Sequence, residues 1–252
     1  VQQDFLKPRQ QEILNLLNTN GEVKISTLSS TFAVTEMTIR RDLEKLEQAG
    51  YAKRTFGGAI HFESDMSLVE RVDMMKDEKS RIGRRAAELI LPGESIFIDA
   101  GTTTVQISRY LHNRPDITVV TNALNVASEL LNKGITTIII GGSLIDATSS
   151  TAGALAISTL SSMAFDRVFL GATGFTAQHG FSNSNLHEAE VKKAAVKQAA
   201  EVNVVLDHTK FGAKALFSYA SLQQVHRIIT DRRPDHELAN ECLNNHVHIL
   251  EC

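Results

Sequence analysis

The sequence predicts an α/β protein of two domains: a small N-terminal helical domain ending in a hairpin, then a larger, mainly parallel, doubly wound α/β domain. Three observations predict it. A length of 252 residues suits one or two domains. Residues 1–62 show helical apolar spacing followed by a glycine-centred alternation, whereas residues 77–252 alternate short apolar runs with helical patterns. Residues 63–76 follow neither rhythm and read as a linker.

From Pro8, suited to a first helical turn, Ile13, Leu14 and Leu17 recur at helical spacing until Asn20-Gly21. Ile25, Leu28 and Phe32 make a second, shorter stripe with Ser26 as its expected N-cap. Thr35 is placed to cap a third helix, whose inward stripe is Ile39, Leu43 and Leu46 and which ends near Gly50. Tyr51 to Phe62 alternates about Gly57-Gly58, as in a glycine-turn hairpin. Helices and hairpin in this order make a winged helix-turn-helix.

In the second domain, apolar β-rich runs are expected at 96–98, 117–120, 137–140, 168–170, 202–206, 227–229 and 246–250. Helical patterns at 78–90, 123–131, 186–200 and 237–243 lie between most of them. Continuously apolar strands alternating with helices predict a parallel sheet covered on both faces.

Composition excludes several classes. Hydrophobic residues at 42%, charged residues at 22% and only 4 Pro are incompatible with a disordered or collagen-like chain. Two cysteines make no disulfide scaffold, and no apolar run reaches the roughly 18 residues that cross a bilayer, so no membrane partner is expected. The polar N-terminus without an apolar signal core predicts a cytoplasmic protein. The chain opens on Val1 and not on Met, from which a few preceding residues are expected.

A formal charge of −3 gives no general attraction to nucleic acid, so DNA binding requires a local patch. Residues 1–62 carry net +1 and the remainder net −4, and Arg40, Arg41, Lys45, Lys53 and Arg54 cluster on the third helix and the start of the wing. Thr35, Glu36, Met37, Thr38, Arg40 and Arg41 fall near the face opposite the apolar stripe, or on the first turns, where a recognition helix meets base edges. The alternative is that Arg40 and Arg41 pair with Glu36, Asp42, Glu44 or Glu47 on a solvated face. So small a patch neutralises few phosphates, which predicts a homodimer or homotetramer on double-stranded operator DNA.

The run SIFIDAGTTT, residues 95–104, is an apolar strand leading into Asp99, Gly101, Thr102, Thr103 and Thr104 ahead of a helical segment. Gly101 permits a tight turn, and the following N–H groups and hydroxyls can cradle a phosphate, although Thr also caps helices and Gly also makes plain turns. Thr121-Asn122, Gly141-Gly142, residues 171–174, Asp207 and Asp231 stand at carboxyl ends of expected strands, where open parallel sheets bind ligands. Lys210 could bring a cation to that edge or be a surface lysine.

Other patterns carry less. His246, His248, Cys242 and Cys252 match no zinc spacing, and His246 and His248 share one face of an expected strand while Val247 and Ile249 share the other. His179, His187 and His208 lie near the ligand edge. No G-x-S-x-G or full G-x-G-x-x-G pattern supports a hydrolase or a nucleotide cofactor, so neither metal nor cofactor is expected.

These residues carry a resemblance. TEMTIRRDL from Thr35, the wing R-x-x-G-G-A at Arg54, Gly57, Gly58 and Ala59, and Arg9 near the first helix are very similar to the DNA-binding signature of the DeoR family of bacterial sugar-catabolism repressors. DAGTTT, VVTNALNVA, IIGG, DRVFLGATG, HEAEVKKA and LDHTKFG resemble that family's effector domain, so the likeness covers nearly the whole chain. It implies that Thr35, Met37, Thr38, Arg40 and Arg41 enter a major groove, with Asp42 orienting the helix. It also implies a phosphorylated sugar effector, its phosphate at Gly101, Thr102, Thr103 and Thr104 and its sugar among Asp99, Asn122, Gly171, Glu188, Lys192 and Lys210. The family's effector domain is similar in fold to ribose-5-phosphate isomerase, whose D-G-A-D run is here Leu170-Gly171-Ala172-Thr173. With both carboxylates missing, binding without turnover is expected, and an active isomerase, with Glu188 or Glu190 as base, is the alternative.

Overall fold

The computed structural model describes residues 6–20, 22–48, 52–61 and 68–252, in two compact units divided between Met66 and Ser67. Within the first, α1 (Pro8–Asn20), β1 (Glu22–Lys24), α2 (Ile25–Phe32), α3 (Glu36–Gln48), β2 (Ala52–Arg54) and β3 (Gly58–His61) follow in order. Ile13, Leu17, Leu28, Ile39, Leu43 and Leu46 are wholly or almost wholly buried and form its core, as their spacing predicts.

The helix starts divide the expectations. Thr35 caps α3, its Oγ1 accepting from the Thr38 N–H at 3.3 Å. Ser26 caps nothing: α2 begins one residue earlier, with Lys24 at the cap position and no side-chain cap bond. Strand β1 was not expected, and it pairs antiparallel with β3 in a three-stranded sheet of order β1-β3-β2. Gly58 is required there, because a Cβ would stand 1.8 Å from the Val23 carbonyl oxygen. Gly21, Gly50, Tyr51, Phe62 and linker residues 63–67 lie outside the described residues.

The second unit opens with α4 (Leu68–Val72) and α5 (Lys76–Ala87), so residues 68–72 of the expected linker are helical. Then come β4 (Ser95–Ile98), α6 (Thr104–Arg109), β5 (Thr118–Thr121), α7 (Leu124–Leu130), β6 (Thr136–Ile139), β7 (Ser143–Ile145), β8 (Ser150–Ala152) and α8 (Ala154–Ser161). The chain continues through β9 (Phe165–Gly171), β10 (Gly174–Thr176), β11 (Gly180–Asn183), α9 (Leu186–Lys197), β12 (Ala199–Val205), β13 (Phe217–Ala220), β14 (Arg227–Thr230), α10 (His236–Asn244) and β15 (His248–Glu251).

Seven strands form one parallel sheet, in the order β15-β14-β12-β9-β4-β5-β6. Alternating side chains enter opposite cores. Phe97, Val168, Leu170, Val202 and Val204 pack with α8, α9 and α10, while Ile96, Ile98, Phe169 and Val205 pack with α5, α6 and α7. Later strands are added on one side of β4 by β5 and β6 and on the other by β9, β12, β14 and β15, so the order reverses between β4 and β9. A parallel sheet opens a crevice at the carboxyl ends of such a pair. At their amino ends Arg167 bridges Glu94 at 2.9 Å and Glu201 at 2.5 Å, and Arg227 also binds Glu201, fixing the relative register of four strands.

Two small antiparallel sheets were not expected, β10-β11-β13 and the hairpin β7-β8. The first carries stacked Phe175 and Phe181, with ring centroids 4.2 Å apart. Residues 199–200, expected at the end of a helix, begin β12. His246 takes a left-handed φ of 59° and lies outside β15, so it shares no strand face with His248.

Candidate functional site

Two sets of polar residues stand out, one in each unit. On α3, Arg40, Arg41 and Lys45 are exposed, as are Thr35, Glu36 and Met37, and Thr38 is half-buried with its hydroxyl 3.0 Å from that of Thr35. Arg40 pairs loosely with Glu36 at 3.4 Å, and Arg54 with Glu47 at 2.7 Å. Exposed pairs of this kind contribute little and reopen readily to a phosphate. Asp42 points the other way. It is buried and takes Arg9 Nε at 2.6 Å and Gln10 Nε2 at 2.9 Å, which ties α3 to α1 and fixes the angle at which the exposed face is presented. The wing tip adds a residue the sequence reading missed: Phe56, between β2 and β3, is fully exposed.

In the second unit the reversal of strand order brings Asp99, just after β4, beside Gly171 at the end of β9. The Gly171 N–H donates to Asp99 Oδ2 at 3.2 Å. Lys192, from α9, binds the same carboxylate oxygen and also donates to the Gly171 carbonyl at 2.9 Å. Tyr219, from β13, donates its hydroxyl to that carbonyl at 2.9 Å, and the Lys192 ammonium lies 5.3 Å from the centre of its ring. Burial pushes the Asp99 carboxyl up, against the pull of Lys192, and nearby Glu188 adds to the rise. Burial, and then the charge on Asp99, pushes the Tyr219 hydroxyl well above its ordinary value.

Glu188 is buried one step away. Asn183 Nδ2 donates to it at 2.7 Å and the Ser150 hydroxyl at 3.4 Å, while Asn185 caps α9 by accepting from the N–H groups of His187 and Glu188. Asn122 is also buried and donates to the Thr151 carbonyl at 3.0 Å, leaving its Oδ1 without a partner among the described residues. Asp99, Gly171, Glu188 and Lys192 are thus gathered, with Asn122 bonded to the strand that holds Ser150. Asn183, Ser150 and Tyr219 join this polar group, and sequence reasoning missed them. Asn183 could have been noticed as a polar residue shortly before the Asn185 cap, whereas nothing local marks Tyr219.

The loop of residues 101–104 adjoins this group, since a Cβ on Gly171 would lie 3.8 Å from Thr104 Cγ2. The hydroxyl of fully buried Thr104 donates to the Gly101 carbonyl at 3.2 Å, and Thr102 is buried too. Of the three threonine side chains, Thr103 is the half-exposed one. At the start of α6 the Val105 N–H donates to the Gly101 carbonyl at 3.2 Å and the Gln106 N–H to the Thr103 carbonyl at 3.1 Å, which closes the loop onto the helix.

Lys210 belongs to a second group at the ends of β12 and β14. Asp207 caps the turn His208–Lys210, accepting from the Thr209 N–H at 3.1 Å. Burial raises its carboxyl, but Lys210, the Thr209 hydroxyl and Lys79 outweigh that and hold it below the ordinary carboxylate range. His208 Nδ1 lies 2.6 Å from Asp231, His179 Nε2 lies 2.9 Å from the Ala215 carbonyl, and His187 stands 3.8 Å from Glu190 on the surface. Among the described residues, no group of three or more His, Cys, Asp and Glu is arranged to hold a metal ion, and no helix is long and apolar enough to cross a membrane.

Comparison with known proteins bears on both sets. Residues 9–65 match the DeoR-like helix-turn-helix domain and residues 74–232 the DeoR C terminal sensor domain. The uncharacterized HTH-type transcriptional regulator YulB of Bacillus subtilis (strain 168) is 38% identical over 229 residues, 88% of each chain. The glycerol-3-phosphate regulon repressor of Escherichia coli (strain K12) is 31% identical over 247 residues, 97% of this chain and 98% of its own. Ribose 5-phosphate isomerase A of Methanocaldococcus jannaschii aligns with 54% of this chain and 55% of its own, at 17% identity and a TM-score of 0.41.

Proposed function

The chain belongs to the DeoR family of HTH-type transcriptional regulators, and from that premise we propose that it is a cytoplasmic repressor of a carbohydrate-use operon, released by a phosphorylated sugar. On the DNA side, Thr35, Glu36, Met37, Thr38, Arg40 and Arg41 of α3 enter the major groove, and Lys45 and Arg54 contact the backbone. One unit of this size holds too few cations to bind tightly at cellular salt, so the regulator acts as a homodimer or homotetramer on paired half-sites.

The observation that carries the sensor reading is the buried polar group at the strand reversal, Asp99 with Lys192 and Gly171, and Glu188 with Asn183. A carboxylate accepts from sugar hydroxyls, and an amide can both accept from and donate to them. The phosphate lies at the loop of residues 101–104, with Lys210 as a further cation from the edge and the bare acceptor of Asn122 taking a hydroxyl. A relative named for the glycerol-3-phosphate regulon supports a phosphorylated ligand.

Binding proceeds without turnover. Leu170 and Thr173 replace the acids of the D-G-A-D run, and both carboxylate oxygens of Glu188 are engaged by neighbouring side chains, which favours binding over proton transfer; Glu190 is the remaining candidate base. By linkage, an effector that weakens operator binding is itself weakened by operator DNA to the same factor.

Thermal unfolding of the full chain against sugars and their phosphates tests this reading. A sugar phosphate raises the melting temperature and its parent sugar does not. Equal stabilisation by both removes the phosphate cradle, and interconversion of aldose and ketose phosphates at about 1 s⁻¹ or faster replaces the sensor with an enzyme.

A further inference from the structure

Exposed large apolar side chains concentrate at one edge of the main sheet. Leu124, Leu131, Ile138, Ile139, Leu144 and Leu155 all belong to the segments that make or flank β6. Among the described residues, strand β6 is paired on one side, to β5. Ile138 and Ile139 are adjacent, so their side chains stand on opposite faces of the strand, yet they are 41% and 46% exposed. This edge is therefore partly open to solvent on both faces. A groove of about 540 Å³ runs beside it, lined by Leu131, Ile135, Thr137 and Ile139 among others. A Leu155 methyl lies 3.9 Å from where a Cβ on Gly141 would stand, which brings the start of α8 against the loop leaving β6.

The two edges of the sheet differ in kind. The outer strand at the other end, β15, carries His248 and Glu251, and Glu251 pairs with Arg233 at 3.4 Å. Charges in such places discourage strand addition. Strand β6, Thr-Thr-Ile-Ile, has neither charge nor proline, and the flanking Glu129 and Lys133 neutralise each other at 2.9 Å.

We propose that the β6 edge is the interface between two copies of this chain, with β6 of each running antiparallel to its counterpart across a two-fold axis, so that two seven-stranded sheets join into one. The open edge offers main-chain donors and acceptors, which only another strand can satisfy in register. A strand meeting its own copy about a two-fold is self-complementary, each residue contacting what contacts it. Residues 63–252 carry net −4, so a second copy approaches with least repulsion at an uncharged edge. Four residues of ladder bury little by themselves, and Leu131, Leu144 and Leu155 supply the apolar area beside it.

The proposal rests on the oligomeric reading given above and is separable from it by sedimentation velocity on the full chain over a dilution series. Wild type sediments as a dimer or larger. Ile138→Lys and Leu155→Lys each raise the dissociation constant by more than about a hundredfold, through a buried unpaired charge, and shift the protein to the next smaller species. Both variants keep the wild-type far-ultraviolet circular dichroism spectrum and unfold cooperatively, and Leu243→Lys, on exposed α10 surface, changes nothing. A folded Leu155→Lys protein whose assembly is unchanged overturns the β6 interface and leaves the oligomeric reading standing. Wild-type monomer at every concentration overturns both.

Discussion

The Lys192 ammonium and the Asp99 carboxylate form an ion pair whose side chains are 3% and 2% exposed, joining α9 to the end of β4 at the point where strand order reverses. A pair withdrawn this far from water is costly to assemble and more costly to halve.

Lys192→Met is therefore expected to destabilise the sensor unit by about 3–5 kcal/mol, because it strands the Asp99 carboxylate. Asp99→Asn added to Lys192→Met restores most of that loss in urea unfolding, while the response to sugar phosphate stays absent. A double variant no more stable than the single one would show that the buried charge is not the cause.

Asp207 sets an acid limit. Its carboxyl is held below the ordinary range, so its contribution to stability is fully present above the unfolded value, near about 3.9, and is lost as pH falls through the lower folded value. Asp207→Asn lowers stability at neutral pH and flattens the acid limb, and the two proteins converge at the lowest pH. Urea midpoints measured from neutral to acid pH check this, and curves that run parallel throughout contradict it.

Arg41 is exposed and makes no ion pair among the described residues. Arg41→Ala is expected to cost about 1–3 kcal/mol of operator affinity if the guanidinium reads a base. If it meets a phosphate instead, the slope of log K against log salt falls by about 1. Fluorescence anisotropy at several salt concentrations separates the two, with the thermal shift by sugar phosphate intact in both. Unchanged affinity and slope would remove Arg41 from the interface.

At Gly101 a Cβ would stand 3.0 Å from the Thr104 hydroxyl oxygen, which is already bonded to the Gly101 carbonyl. Gly101→Ala displaces that hydroxyl at the start of α6, so the protein keeps its operator affinity and loses about tenfold or more in effector affinity, about 1.4 kcal/mol. Isothermal titration with the phosphorylated sugar reads the loss, and wild-type affinity in this variant would move the phosphate elsewhere.

The central strands were legible because burial on both faces leaves nearly continuous apolar runs, as in Val168, Phe169 and Leu170. The sheet β10-β11-β13 was not, because strands of three or four residues such as Gly174–Thr176 show no period to read. The motif at Asp99 to Thr104 gave the loop, yet not the fate of its hydroxyls: Thr104 turns inward to its own backbone, a consequence of packing against β9. Tyr219 entered the site from a strand far along the chain, and only the assembled fold brings it to Gly171. Ser26 misled because a serine near a helix start imitates a cap when the preceding strand, β1, goes unseen.

Lys79 gives the boundary of the sensor unit a different meaning. Its ammonium donates to the Arg71 carbonyl of α4 at 2.8 Å while its charge also favours the ionised form of Asp207. Five residues are too few to hold a helix by themselves. The order of α4 therefore leans on tertiary contacts such as the Lys79 bond, and its amides are expected to be among the first of this unit to exchange.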